Sequence, residues 1–561
     1  MLTPTKWPAY LRVRATCFIT EETMAKYSNA FTPPTQREPA NNRQIKNSAG
    51  GYVYKVEGKE RFIRFLILGS EGGSFYASEK DLTKQNVDQV RQFARTNPWE
   101  YWFTLREIND ENRAPRHSTL LLALAILLRE TDDPATRQAM RYNFTEIVRT
   151  GAHLFEFVEY ALSMGGWGRG LRSLVASWYT SQGSEDLAYQ IVKYRARDGY
   201  THDRLIRTSH PKGYNDDRSI EVIKYALNGY NKDSNVPQVV HQFESVKTGD
   251  LDVKHTDALT WEMLPTSSLT DPETWEHLLT KNRLPYTAML RNLGRMTSHG
   301  VFDTNLDSLR LVVNRLTSKE RVRGARIHPF NILTAMKTYS AGHGFRGSMT
   351  WTPSRAILDA LDEAFWLAFG NIEENDSQRT CVALDVSGSM VAPIMGSNIT
   401  AMEGSVAMAM ATIAAAPHTT DVIAFSSGYG EYGYGAPWIR MLETSHRRRL
   451  DDNLREVRDT PFGRTDCALP MIWAAEQKRI YDTFVIYTDN ETWYGSIHPM
   501  EALQRYRKQF NPDAKLIVVG MVSNGFSIAD PQDPGSLDVV GFDAATPNLI
   551  QDFTAGRFKL R

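Results

Sequence analysis

The string Leu384-Asp385-Val386-Ser387-Gly388-Ser389-Met390 sets one carboxylate and two hydroxyls at alternate positions. Hard oxygens of this kind suit Mg2+, which takes octahedral oxygen ligands at about 2.0–2.1 Å and retains several waters. Two further oxygen sources lie downstream: Thr465-Asp466 after Gly463-Arg464, and Asp489 after the apolar run Phe484-Val485-Ile486-Tyr487-Thr488. An isolated Asp-x-Ser-x-Ser is equally a capped turn. Metal-assisted hydrolysis calls for a water-activating arrangement, often with carboxylates bridging two metals. No dense carboxylate cluster accompanies these residues, and Glu491 is the one base to consider beside Asp489.

A second chemistry lies in the segment Lys193 to Lys212, where Lys193, Arg195, Arg197, His202, Arg204, Arg207 and His210 alternate with Tyr194 and Tyr200. The spacing predicts Lys193 and Arg197 on one helix face and Arg204 and Arg207 on the next. Gly199 and Pro211 bracket that second helix, which puts His210 at its C-terminal end. Cationic donors beside tyrosines suit phosphate contacts with base stacking, although composition alone reads as a solvated helix face. A further cluster, Arg310, Arg315, Lys319, Arg321, Arg323 and Arg326, is opposed locally only by Glu320. On the concave face of a helical array it would make nucleic-acid binding steeply salt-dependent.

The elements that position these groups fall into two textures. From about 80 to 370, apolar residues recur at i, i+3 and i+4, predicting helices at Asp81–Arg95, His117–Arg129, Asp133–Val148, Leu154–Ser163, Leu187–Arg195, Ser219–Leu227, Pro285–Leu293, Ile327–Tyr339 and Pro353–Phe369. Short turns between successive helices favour an α-solenoid of helix pairs. From 378 to 561, short apolar runs at Thr380–Val386, Asp421–Phe425, Thr483–Thr488, Leu516–Met521 and Leu537–Gly541 alternate with helical patterns. That alternation implies a doubly wound α/β domain. Asp385 then ends the first strand, where open parallel sheets bind ligands. Residues 1–42, rich in Pro, Thr and Asn, read as an irregular arm before a helical module spanning 43–370.

The chain has 561 residues with 65 acidic and 65 basic side chains, 23% charged and 42% hydrophobic. It can bury a core, and it is no uniformly basic nucleic-acid coat, although the excess positive charge falls in the helical half. Cys17, Cys381 and Cys467 match neither a disulfide framework nor a zinc spacing and read as buried thiols. The longest aliphatic run, Leu120 to Leu128, is far short of the roughly 20 residues of a membrane helix, and the N-terminus lacks an apolar signal core. We therefore expect a cytoplasmic protein without membrane attachment. Gly342-His343-Gly344-Phe345-Arg346-Gly347 follows a helical pattern instead of a strand, so it reads as a helix cap and turn and not a dinucleotide fingerprint. Met402, Met408 and Met410 read as core packing.

The Asp-x-Ser-x-Ser string after a first strand, with a later Thr and a strand-end Asp, resembles the metal-ion-dependent adhesion site of von Willebrand factor A domains. That resemblance implies Ser387, Ser389 and Thr465 as direct ligands of a divalent cation, expected to be Mg2+, with Asp385 and Asp489 bound directly or through water. Longer strings carry a fuller resemblance. They include Asn47 to Tyr52, Arg64 to Gly73, Lys193 to Lys212, Leu290 to Gly294, Arg326 to Phe330, Thr465 to Met471, Thr488 to Thr492 and Ser523 to Phe526. From about residue 43 to the C-terminus the chain resembles the Ro ribonucleoprotein autoantigen family, a TROVE module followed by a von Willebrand factor A domain. The resemblance implies HEAT-like helical repeats closed into a ring. It also implies a nonenzymatic, monomeric RNA-binding protein with no catalytic residues. Small noncoding Y RNAs would bind the outer surface, with Lys193, Arg197 and His210 at the family's contact positions. Single-stranded 3′ ends of misfolded RNAs would enter a basic hole, to which Arg321, Arg323 and Arg326 are assigned. An exoribonuclease is an expected partner. Tyr200 and Arg464 depart from the animal members, which carry Trp and a second Gly there, and the insertion Gly428–Gly435 matches nothing in the family. Two rivals stay open: a metal-dependent module gripping an acidic protein, and a metal-dependent RNA hydrolase.

Overall fold

A computed structural model describes residues 35–69, 79–197, 199–214, 216–344, 348–370, 372, 374, 376–427, 437–446, 448–458 and 463–557. Cys17 and the Gly428–Gly435 insertion lie outside the described residues.

Two short antiparallel strands, β1 (Gln44–Lys46) and β2 (Tyr52–Lys55), open the module. Helices then follow one another from Gly58–Leu68 to Arg355–Ala368, interrupted by 3-10 turns and by a small hairpin of β3 (Ala196–Arg197) and β4 (Tyr200–Thr201). The predicted helix over Asp133–Val148 is two, Pro134–Tyr142 and Phe144–Ile147. The break falls at Asn143, whose amide turns back onto the Ala139 carbonyl at 2.8 Å and competes with the helix. The predicted helix through Arg195 stops at Lys193.

The end of the array returns to its beginning. The Arg326 guanidinium donates to the Asn109 and Asp110 carbonyls at the end of helix Pro98–Asp110. Asn331 donates to the Pro115 carbonyl at 3.2 Å. These bonds span more than 200 residues of sequence and close the helices on themselves.

The α/β domain holds a six-stranded sheet of β5 (Thr380–Asp385), β6 (Thr420–Ser427), β7 (Pro437–Met441), β8 (Thr483–Thr488), β9 (Lys515–Gly520) and β11 (Ser536–Val540). The strand order is β11-β9-β8-β5-β6-β7, all parallel except β7. The edge strand β7 has no counterpart in the predicted elements. It opens on Pro437 and carries Arg440, a composition that only an edge strand tolerates. The order reverses between β5 and β8, the topological switch point of a doubly wound sheet.

Period-two alternation divides the sheet's apolar side chains between two cores. Val382, Leu384, Val485, Tyr487, Ile517 and Val519 share a core with helix Ala401–Ala415 and with the helical array. Cys381, Ala383, Phe484, Ile486, Leu516 and Val518 face the other way, toward Trp473, Leu503 and Tyr506. Helix Ala401–Ala415 is buried all round, including Met402, Met408 and Met410, as their core reading expects.

Several buried ion pairs join the two modules. Arg113 makes hydrogen bonds to both Asp543 oxygens, the shortest at 2.6 Å. Arg64, fully buried, pairs with Asp538 at 2.5 Å. Lys337 pairs with Glu403. β10 (Phe526–Ser527) of the α/β domain adds to β2 as a third strand. The stretch 35–42, expected as part of an irregular arm, is anchored here as well. Gln36 is fully buried and its amide donates to Asp466 at 2.7 Å and to the Ile497 carbonyl at 2.8 Å.

Candidate metal centre and nucleic-acid interface

Adjacent strands β5 and β8 run parallel with Leu384 opposite Tyr487, so their C-terminal ends meet. Thr488 Oγ1 donates to Asp385 Oδ2 at 2.7 Å, and the Ser387 amide donates to Asp385 Oδ1 at 2.9 Å. Ser387 then opens a 3-10 turn over Gly388–Val391, which brings Ser387 Oγ and Ser389 Oγ within 3.1 Å. Asp489 Oδ1 accepts from the Glu491 amide at 3.1 Å. The Thr465 loop is set by backbone: Ser427 and Arg464 exchange amide bonds, and the Gly388 amide donates to the Gly463 carbonyl at 3.0 Å. A side chain at Gly463 would meet the Ser427 carbonyl at 2.4 Å, so glycine is required for this approach.

Asp385, Ser387, Ser389, Thr465 and Asp489 are thus gathered at the switch point, each at most 3% exposed. Burial pushes both carboxyls up. Asp489 rises to about 7, with the Asp385 charge adding to the effect of desolvation. Thr465 Oγ1 is buried without a hydrogen-bond partner. Two desolvated carboxylates, two touching hydroxyls and an orphan hydroxyl fit a hard divalent cation. Among the described residues no group of three or more His, Cys, Asp or Glu could hold a metal, so hydroxyl oxygens would have to complete the ligand set. Thr488, outside the predicted ligand set, orients Asp385. A hydroxyl residue just before a strand-end Asp was the available signal.

The basic segment is built differently. Helix Ser184–Lys193 ends, the β3–β4 hairpin turns at Gly199 with φ of 77°, and helix His202–Ser209 ends on His210 in the left-handed region at φ of 50°. Arg195, Arg197, Arg204, Arg207 and His210 are exposed. Arg195 lies 4.7 Å from the Phe243 ring centroid and Arg204 lies 5.2 Å from that of Tyr200. Arg207 is braced by Asp203 at 2.7 Å and by the Leu227 carbonyl.

Residues 379–554 match the family described as the Ro60 vWA domain, and residues 45–252 and 238–340 match the TROVE domain. The RNA-binding protein RO60 of Deinococcus radiodurans is 37% identical over 534 residues, covering 93% of this chain and 97% of that protein. The RNA-binding protein RO60 of Caenorhabditis elegans is 33% identical over 609 residues, covering 93% and 92%. A crystal structure of the Deinococcus radiodurans RO (RSR) protein matches with a TM-score of 0.64 at 35% identity, covering 89% of this chain and all of that one. The chain belongs to the Ro60 family.

Within this Ro60-family chain several sequence-predicted contacts need correction. Lys193 and Arg197 do not share a helix face, because the helix stops at Lys193 and Arg197 sits in β3. The Lys193 side chain is only 8% exposed. It lies against the rings of Tyr189 and Tyr194 and pairs with Glu262 at 3.4 Å. His202 is buried, with Nδ1 bonded to the Tyr179 hydroxyl at 2.8 Å, and burial depresses it to about 3. It is a neutral core group that cannot reach an RNA phosphate from where it sits. A side chain at Gly151 would come within 3.1 Å of its ring. The second cluster is not one face either. Arg315 is buried on the Leu279 carbonyl, Arg321 and Arg323 are exposed, and Arg326 closes the array.

Proposed function

We propose that this chain binds RNA without cleaving it. Small structured Y-type RNAs would dock on the exposed segment that carries Arg195, Arg197, Arg204, Arg207 and His210. Single-stranded 3′ ends of misfolded RNAs would be captured by the closed helical module. The observation that carries this reading is the family relationship over 93% of the chain, to relatives named RNA-binding protein RO60, combined with the exposure of those four arginines and His210. Guanidinium groups at a surface form charge-assisted bonds to phosphates. The role would be noncoding RNA quality control or scaffolding of decay, in the cytoplasm, with an exoribonuclease supplying hydrolysis.

The α/β domain would hold Mg2+ through Ser387, Ser389 and Thr465, with Asp385 and Asp489 neutralising it. A bound Mg2+ supplies Lewis acidity and an open coordination position for an anionic group. An acidic protein partner bound there is a second reading, favoured by the buried, unpartnered Thr465 Oγ1. In it Asp385 and Asp489 act as fixed anions, and no group beside them is assigned as a base. Glu491 is buried, accepts from the Ala49 amide at 3.0 Å and is pushed up to about 8 by burial and the Asp489 charge. The N-terminal segment thereby covers the one candidate base.

Filter binding of a stem-loop RNA, with and without a single-stranded 3′ tail, tests this across a salt series with and without Mg2+. The expected outcome is salt-dependent binding tightened by the tail, with the RNA intact. Shortened RNA in the presence of Mg2+, lost with Asp385→Ala, overturns the noncleaving reading.

A further inference from the structure

Helix Gly58–Leu68 enters the seam between the two modules with two buried arginines one turn apart, Arg61 at 2% exposure and Arg64 at 0%. Their surroundings differ. Arg64 Nη1 donates to the Asn524 and Phe526 carbonyls at 3.3 and 2.8 Å and to Asn524 Oδ1 at 3.0 Å, and Nη2 donates to both Asp538 oxygens. Arg61 has no ion pair and no side-chain hydrogen bond among the described residues, and its Nη1 is buried without a partner.

The acids and acceptors around Arg61 are engaged elsewhere or face solvent. Glu57, one turn earlier, pairs with Lys55, and Glu60 is exposed. The Gly525 carbonyl accepts from the Val56 amide at 2.9 Å. Gly525 itself lies against the guanidinium, since a Cβ there would stand 3.5, 3.6 and 3.7 Å from Cζ, Nη1 and Nη2. Near-equal distances to three atoms of one planar group put Gly525 over its flat face. The N–H edge therefore points away from Gly525 and meets no acceptor. Two residues earlier on the same loop, Ser523 Oγ is also buried without a partner. The loop reaches the metal site as well, for Asn524 Nδ2 donates to the Asp489 carbonyl at 2.6 Å.

Charge defines what is missing. Burial and the Arg64 charge push the Arg61 pKa down to about 9, so the group still carries its proton at neutral pH. A buried charge is costly unless a partner meets it. Asp538 offsets Arg64, which leaves the seam with one positive charge in excess. A monovalent anion balances that charge. A dianion would overshoot it and lose more hydration on entry, because the cost of burying an ion grows with the square of its charge. We propose that the seam holds one small monovalent inorganic anion of the chloride class on the N–H edge of Arg61, as the counterion that lets the two modules close there. The seat is independent of RNA and of the metal.

Two measurements on the full chain test the seat. Crystals are soaked in sodium bromide, whose anion scatters anomalously and takes chloride positions. Thermal unfolding is followed at constant ionic strength while chloride replaces gluconate. We expect an anomalous peak within hydrogen-bond reach of the Arg61 N–H edge, and a Tm that rises by about 1 °C per tenfold increase in chloride above its Kd. Arg61→Met keeps the length of the side chain without its charge. It should lose both the peak and the chloride dependence, and in gluconate it should be at least as stable as the wild type, because no charge is left unpaired. Arg61→Lys should keep a weaker chloride dependence. A wild type with no bromide peak at Arg61 and no chloride dependence overturns the proposal. A peak without any chloride effect on Tm is binding at crystal concentration only, and overturns a resident counterion. Chloride dependence that persists in Arg61→Met overturns Arg61 as the seat. If Arg61→Met does not fold, the wild-type peak and the Arg61→Lys titration decide.

Discussion

At the ends of β5 and β8, five oxygen-bearing side chains are buried to within 3% exposure and aimed by backbone amides and by Thr488. Along 195–210, four arginines and His210 stand in solvent on and beside a hairpin and a short helix. The first arrangement charges its cost to the fold, since two carboxylates lose hydration to meet there. The second costs little to build and can adjust to its ligand. A buried site therefore has its residue types and spacing dictated in detail, whereas an exposed one needs only charge in roughly the right area.

That contrast can be broken from either side. Ser387→Ala should abolish the Mg2+-dependent rise in Tm while RNA affinity stays within a factor of two or so, since each lost charged hydrogen bond to RNA is worth about 1.5–3 kcal/mol and Ser387 makes none in this scheme. If Ser387→Ala folds normally and loses RNA, the two regions are one site. Arg113→Ala should destabilise the protein by about 3–5 kcal/mol, because Asp543 is left buried and unpaired between the modules. A shift in denaturant midpoint worth less than 1 kcal/mol or so would mean that the seam relaxes and the metal domain is loosely held. Arg197→Ala and His210→Ala should each weaken stem-loop binding by about 1.5–3 kcal/mol by filter binding. The smallest effect separates His202 from its exposed neighbours. Burial holds its folded pKa at about 3, below the ordinary histidine value of 6.5, so the folded protein binds fewer protons. Its contribution to stability is present above pH 6.5 and is lost as pH falls toward 3. The slope of Tm against pH in that window should flatten in His202→Phe. An unchanged slope would return His202 to the solvent-exposed set.

Legibility in the sequence followed the same division. Strand β8 has the predicted bounds Thr483–Thr488, because a buried strand is written in its own run of apolar residues. The oxygen ligands were readable because the end of a first parallel strand is a fixed address. The basic segment was readable as a charge run but not as a surface. Lys193, His202 and Arg315 have the same residue types as their exposed neighbours, and only long-range partners (Glu262, Tyr179 and the Leu279 carbonyl) draw them inward. Edge strand β7 and the anchored stretch at Gln36 were illegible for the same reason: their stability comes from distant segments, not from a local pattern.

By itself the sequence determined two modules, a doubly wound sheet with oxygen donors at its first strand end, and a helical array carrying most of the excess positive charge. Periodicity and strand-end position are local properties, so they survive without coordinates. Only the tertiary structure decided which basic side chains face solvent, how Arg326 closes the array onto Asn109 and Asp110, and that Arg149 binds the His117 ring. Those contacts join residues tens to hundreds of positions apart, and electrostatic and packing energies depend on distance in space, which the order of residues along the chain does not contain.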